Sequence, residues 1–127
     1  MRLLLDTHVF LWYITADGRL PDAARDAIRD RANEPYLSVI SLWEAIIKYQ
    51  LGKLPLPHPP ETYLPEQRQK HSITSLDVDE ASVKHLATLP SLHNDPFDRI
   101  LACQAIQHNL TMVTVDKSIR GYPISVF

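Results

Sequence analysis

Four carboxylates in this chain stand at the approach to a helix. Asp6 follows the apolar run "RLLL", Asp116 follows "MVTV", Glu44 lies three residues after Ser41, and Asp98 lies three after Asp95. Each has a plain structural use. Asp6 and Asp116 suit helix N-caps, which accept backbone N–H bonds. Ser41-x-x-Glu44 has the form of a capping box. Asp95 before Pro96 makes a cap with proline at the first helical position, and Asp98 then falls in the first turn, where the helix dipole favours it. Direction argues for more than capping. At about 100° per residue, Asp98 shares its face with Leu101, Ala102 and Ala105, while Arg99, Gln104 and Gln107 lie on other sides. Glu44 likewise shares a face with Ile47 and Leu51, although Lys48, four residues on, offers it an ion pair. A cap need not head an inward stripe, and burying an unpaired charge is costly.

The elements that position these acids alternate along the chain. Strands are expected at "RLLLD", "PYLSVI", "LTMVTVD" and "YPISVF", and a strand or extended link at "SITSLDV". Helices are expected from about Thr7, over "LPDAARDAIRDRANE" with Pro21 in its first turn, and over "SLWEAIIKYQLG" with Ser41 as cap and Gly52 as stop. Further helices are expected at "ETYLPEQRQKH", started or interrupted by Pro65, at "DEASVKHLATL", and at "DPFDRILACQAIQHN", ended by Asn109. Four prolines between residues 55 and 60 make that stretch an ordered connector. This order predicts an α/β fold, a mostly parallel sheet covered by helices on both faces. In such a sheet the C-terminal strand ends and the following helix starts gather on one edge, where ligands bind. Carboxylates gathered there repel one another. Protons relieve that by raising pKa values. Hard divalent cations relieve it better, because all-oxygen sets suit Mg²⁺ or Mn²⁺.

Composition narrows the partners. The 127 residues are the size of one domain, 45% hydrophobic and 22% charged. The net charge of −2 excludes a simple basic nucleic-acid binder, but it hides an asymmetry. Without Asp6, Glu44, Asp95, Asp98 and Asp116, ten acids face thirteen Lys and Arg. A mildly basic protein with one concentrated acidic spot is thus expected. No apolar run nears the roughly 20 residues of a membrane span, and no cleavable leader follows the short run ended by Asp6. The single Cys103 makes no internal disulfide, which fits a reducing, cytoplasmic setting, and it reads as a small buried hydrophobe.

"LLLDTHVFLW" at 3–12, "SLWEAIIKYQLGKL" at 41–54, "HNDPFDRILACQA" at 93–105 and "MVTVD" at 112–116 resemble, in order and spacing, the PIN-domain ribonucleases, most closely the VapC-type toxins of toxin–antitoxin pairs. The resemblance covers essentially the whole chain and implies a single PIN domain over 1–127, with a three-layer α/β/α fold. It implies a Mg²⁺- or Mn²⁺-dependent endoribonuclease, a homodimer, held in check by a small antitoxin. Carried over by position, the acidic quartet is Asp6, Glu44, Asp98 and Asp116. Asp95 is an extra acid near the metal or capping the helix. Thr114, two residues before Asp116, would alternate onto its side and hydrogen-bond a carboxylate or the scissile phosphate.

Lys48, Lys53, Arg99, Lys117 and Arg120 lie within a few residues of the acids and are candidate RNA phosphate contacts; Arg99 could instead pair with an acid. His8 and His93 read as structural, since no two histidines share ligand spacing on one helix face. Phe10, Trp12, Tyr13 and Trp43 read as core or dimer surface. The alternative function is a non-catalytic RNA-binding or scaffold domain on the same fold, which an incomplete acid set would favour. A phosphotransfer domain with an acceptor Asp at a strand end is a further rival; one such pattern wants a second Asp where His8 stands, another an acidic pair at the first strand end, and the sequence supplies neither.

Overall fold

The first strand is apolar on both sides, so it must be covered on both sides. In the computed structural model, which describes residues 1–92 and 94–127, it is the centre of the sheet. The expectation for His93 lies outside the described residues. The elements are β1 (Arg2–Leu5), α1 (Thr7–Ile14), α2 (Asp22–Arg29), β2 (Glu34–Ser38), α3 (Val39–Gln50), α4 (Pro60–Lys70), β3 (Thr74–Leu76), α5 (Glu80–Lys84), α6 (Pro96–His108), β4 (Thr111–Val113) and β5 (Ser125–Val126). Short 3-10 turns occupy His85–Ala87 and Lys117–Gly121. The sheet is parallel throughout, in the order β3-β2-β1-β4-β5.

Successive strand residues point to opposite faces, and β1 divides the core accordingly. Leu3 and Leu5 pack with Val9, Phe10, Leu37, Leu64 and Ile73 on one side. Leu4 packs with Leu101, Ala102, Cys103, Ala105 and Met112 on the other. The layered α/β architecture expected from the strand–helix alternation is present. The chain builds outward from β1 through β2 to β3, then returns to β1's other edge with β4. The C-terminal end between β1 and β4 is therefore the point where strand order reverses.

Several local expectations need correction. Helix α3 begins at Val39 and is capped by Ser38, whose Oγ accepts the N–H of Ile40 at 3.0 Å. Ser41 is therefore not a cap, and no capping box joins it to Glu44. Val39 and Ile40 look like strand residues after "PYLS", but they belong to the helix. Pro21 precedes α2 as its N-cap residue instead of lying within its first turn. Helix α4 starts at Pro60 and runs through Pro65. Pro65 neither starts nor breaks it; the missing N–H costs one backbone bond, and burial of Tyr63 and Leu64 holds the turn. Gln104, off the Asp98 face, finds a distant partner. It is fully buried, with Nε2 donating to the Asp77 carbonyl at 3.2 Å.

Helix α6 forms as read. Asp95 Oδ1 accepts the N–H of Phe97 at 2.9 Å, and Asn109 closes the helix in the left-handed conformation at φ 54°. Cys103 is buried there, and its surroundings push the thiol pKa up. The 55–60 connector is ordered by Leu54 and Leu56, which pack against the core.

The cap assignment is testable by urea denaturation. Ser38→Ala is expected to lower the unfolding free energy by about 1 kcal/mol through loss of the α3 cap. Leu101→Ala, at the centre of α6's buried face, is expected to cost roughly 2–5 kcal/mol.

Candidate active site

Strand pairing places the first two site residues. β1 and β4 run in register with Leu3 beside Thr111 and Leu5 beside Val113. The Asp6 N–H bonds the Val113 carbonyl at 3.0 Å and carries that register one step past the strand ends. Asp6 and Thr114 then lie side by side, and Thr114 Oγ1 donates to Asp6 Oδ2 at 2.7 Å. The Asp116 N–H donates to the same Thr114 oxygen at 3.0 Å. A hydroxyl has one proton to give, so the bonds run one way: from the Asp116 amide to Thr114, and from Thr114 to Asp6. Asp6 also caps α1 through the His8 N–H, at 3.3 Å.

A second relay fixes Glu44. Thr7 Oγ1 lies 2.7 Å from Glu44 Oε1 and 2.8 Å from Ser41 Oγ. The carboxylate can only accept, so Thr7 gives its proton to Glu44 and receives that of Ser41. Lys48 Nζ binds the other Glu44 oxygen, Oε2. The ion pair weighed from the sequence is thus present, and it sits inside the acid cluster. Partial burial opposes the Lys48 charge. The Glu44 bond, with attraction to Glu44, Asp95 and Asp98, overcomes this and lifts the pKa above the ordinary lysine value.

Asp6, Glu44 and Asp98 are 7%, 3% and 9% exposed. Asp98 is buried as its helix face predicted. Glu44 is buried too, but not by the stripe assigned to it: Leu51 is 63% exposed, and the covered part of α3 is Ile40, Ser41, Glu44 and Ala45. Burial raises the Asp6 pKa. The Thr114 bond, the His8 amide and the His8 charge pull it down, and the neighbouring Glu44 charge adds to the rise. Asp116 is half-buried and caps the 3-10 turn, accepting the Ser118 N–H at 2.9 Å and Ser118 Oγ at 2.6 Å. It follows Thr114 through a loop, not a continuing strand, so alternation does not decide its direction.

These carboxylates meet the chemical requirement for a hard divalent cation: oxygen donors, buried, on one edge, with one pKa raised by burial. Among the described residues, no group of three or more Asp, Glu, His or Cys side chains is placed to hold one ion. Asp6 and Asp98 could supply oxygens to such an ion, with Glu44, Asp116 and Asp95 as further oxygen donors.

The basic candidates separate. Lys48 is within the cluster. Lys53 lines a groove with His8, Trp12 and Leu56. Lys117 and Arg120 line another that includes Thr114 and Val113. Arg99 donates to the Pro90 carbonyl at 3.0 Å, a backbone partner the sequence did not suggest. Phe10 is core, whereas Trp43 is 56% exposed and meets Phe97 edge-on at 5.2 Å. Sequence reasoning missed Thr7 and the use of Ser41. The available signal was a hydroxyl directly after Asp6 and another one helical turn before Glu44.

Residues 3–124 match the family model described as the PIN domain. Ribonuclease VapC22 of Mycobacterium tuberculosis is 30% identical over 129 residues, an alignment spanning 98% of each chain. Ribonuclease VapC16 of the same organism is 39% identical over 61 residues, 48% of this chain and 43% of that one. Among solved structures, VapBC2 from Rickettsia felis bound to a promoter DNA fragment covers all of this chain and 98% of the matched one, with a TM-score of 0.73 at 20% identity. DNA-bound VapBC from Salmonella typhimurium covers 100% and 97%, with a TM-score of 0.69 at 23% identity. At such identities the structural likeness speaks for the fold. With the match over nearly its full length, this chain belongs to the PIN-domain family, among the VapC-type proteins.

Proposed function

We propose that this chain, as a single PIN domain over 1–127, is a metal-dependent endoribonuclease and the toxin of a toxin–antitoxin pair. The observation that carries the reading is the burial of Asp6, Glu44 and Asp98 together at the reversal point of the sheet. Buried acids call for cationic or hydrogen-bonding partners, and a divalent cation suits an all-oxygen set on one edge. The names of the two mycobacterial relatives support ribonuclease activity, and the VapBC complexes support a small antitoxin partner. A homodimer and a cytoplasmic setting complete the reading; no helix among the described residues is long and apolar enough to cross a membrane.

Asp6 and Asp98 would hold Mg²⁺ or Mn²⁺, assisted by Glu44 or Asp116 and with Asp95 close by. When bound, the ion supplies Lewis acidity and makes hydroxide available near neutral pH. The chain's own residues prepare for this. Thr114 holds Asp6 with one oxygen turned to the relay, and Thr7 with Ser41 does the same for Glu44. Glu44 or Asp116 orients the attacking water and takes its proton at a carboxylate oxygen. Attack at phosphorus with departure of the 3′ oxygen leaves a 5′ phosphate and needs no 2′ hydroxyl nucleophile. Lys53, in the groove with His8, and Lys117 and Arg120, in the groove with Thr114, are proposed to contact the RNA backbone, as is Arg99 if it releases Pro90.

Purified, antitoxin-free protein incubated with structured RNA tests this. Cleavage is expected with Mn²⁺ or Mg²⁺, none is expected in chelator, and Asp98→Asn is expected to lower the rate by about 100-fold or more. Cleavage that persists in chelator, or survives Asp98→Asn, refutes the mechanism. Burial also fixes a pH dependence. Because the folded pKa of Asp6 is raised, ionising it destabilises the fold at neutral pH, and the penalty fades as pH falls through the raised value towards the unfolded one. In chelator, Asp6→Asn is therefore expected to melt above the native protein at pH 7. The gap should close as pH approaches about 4, the ordinary aspartate pKa; scanning calorimetry reads both.

A further inference from the structure

Both oxygens of Glu44 are already engaged. Oε1 accepts from Thr7 within the core, and Oε2 is held by Lys48. The two partners differ in what they can do. Thr7 is buried and tied to Ser41. Lys48 is 33% exposed, while its carboxylate partner is 4% exposed, and its four-carbon stem can swing the ammonium into water without moving the helix. Lys48 also feels the charges of Asp95 and Asp98, so it faces most of the acid cluster from its position on α3. A lysine stays charged at any pH where the protein works. Two cations cannot share one carboxylate oxygen at contact distance without strong repulsion.

We infer that Lys48 is the internal counter-ion of the carboxylate site: it binds Glu44 while the site lacks a divalent cation, and its departure is the cost of recruiting Glu44 to the ion. Lys48 therefore stabilises the ion-free fold and weakens ion binding by the same interaction. This rests on the metal-site reading above and adds to it a residue that sets the affinity. Lys48 is a positioning residue here, acting through Glu44.

The test needs no RNA. Mn²⁺ binding is measured by calorimetry or electron paramagnetic resonance, and melting is followed with chelator and with saturating Mn²⁺. Lys48→Met keeps the length and removes the charge. It is expected to melt lower than the native protein in chelator and to bind Mn²⁺ about fivefold tighter or more, the lower end of ordinary coupling between two ligands. Its melting deficit should shrink as Mn²⁺ is added. In a Glu44→Gln background the same substitution should tighten Mn²⁺ binding much less, because only the longer-range attraction to Asp95 and Asp98 then remains. If Lys48→Met does not fold, Lys48→Arg serves: its fork grips the carboxylate more firmly, and Mn²⁺ should bind more weakly than to the native protein. Native binding with Lys48→Met unchanged or weaker overturns the counter-ion role alone. The same holds for a melting deficit that is equal with and without Mn²⁺. Absence of Mn²⁺ binding by the native protein and by Lys48→Met overturns it together with the metal-site reading.

Discussion

The parallel pairing of β1 with β4 is the constraint on which the site depends. It sets Leu5 beside Val113, and one further backbone bond sets Asp6 beside Thr114. A slip of one residue would turn Leu3 and Leu5 to the face now occupied by Leu4 and would separate the acid from its hydroxyl. The same register serves core and chemistry, because the strand is buried on both sides. The apolar residues that enforce the register, Leu3, Leu4 and Leu5 on β1 and Met112 and Val113 on β4, immediately precede the acid and its hydroxyl, so the site inherits the precision of the core.

Beyond the strand ends, orientation is supplied by hydroxyl groups. Thr114 links the Asp116 amide to Asp6, and Thr7 links Ser41 to Glu44. Each relay is directional, since a carboxylate can only accept. A buried carboxylate held by one oxygen has its other lone pairs aimed by the protein and not by chance. Such preorganisation is what an ion site asks of the residues behind its ligands. It also lets short loops do the positioning: Asp116 need not continue a strand to be useful, because its amide, not its side chain, completes the first relay.

What the sequence revealed follows the range of the physics involved. Local pattern was enough for α6, where proline at the first turn, an aspartate cap and a left-handed Asn109 agree with an inward Asp98. The strand–helix alternation was enough for the parallel sheet. The failures lie where a distant partner decides. Ser41 has the spacing of a capping box, but Ser38 captures the cap and Thr7, 34 residues away, captures Ser41. Gln104 lies off the Asp98 face, and its burial, with the Asp77 carbonyl 27 residues away accepting its amide proton, has no local signal. Pro65 reads as a breaker, but buried neighbours hold its helix together. Glu44 was placed inward for a face that proves half exposed; the covering comes from α1 and the helix start.

The Thr114–Asp6 bond joins residues 108 positions apart. Asp6 is made 108 residues before Thr114. While synthesis proceeds, β1 can find β2, but its other edge has no β4 to meet, and Asp6 has neither its register nor its hydroxyl. Closing so long a loop is also among the slower events of folding. A partly made chain therefore carries the acids without the arrangement. Topology thus defers the Asp6–Thr114 pair until β4 has been made and can meet the free edge of β1.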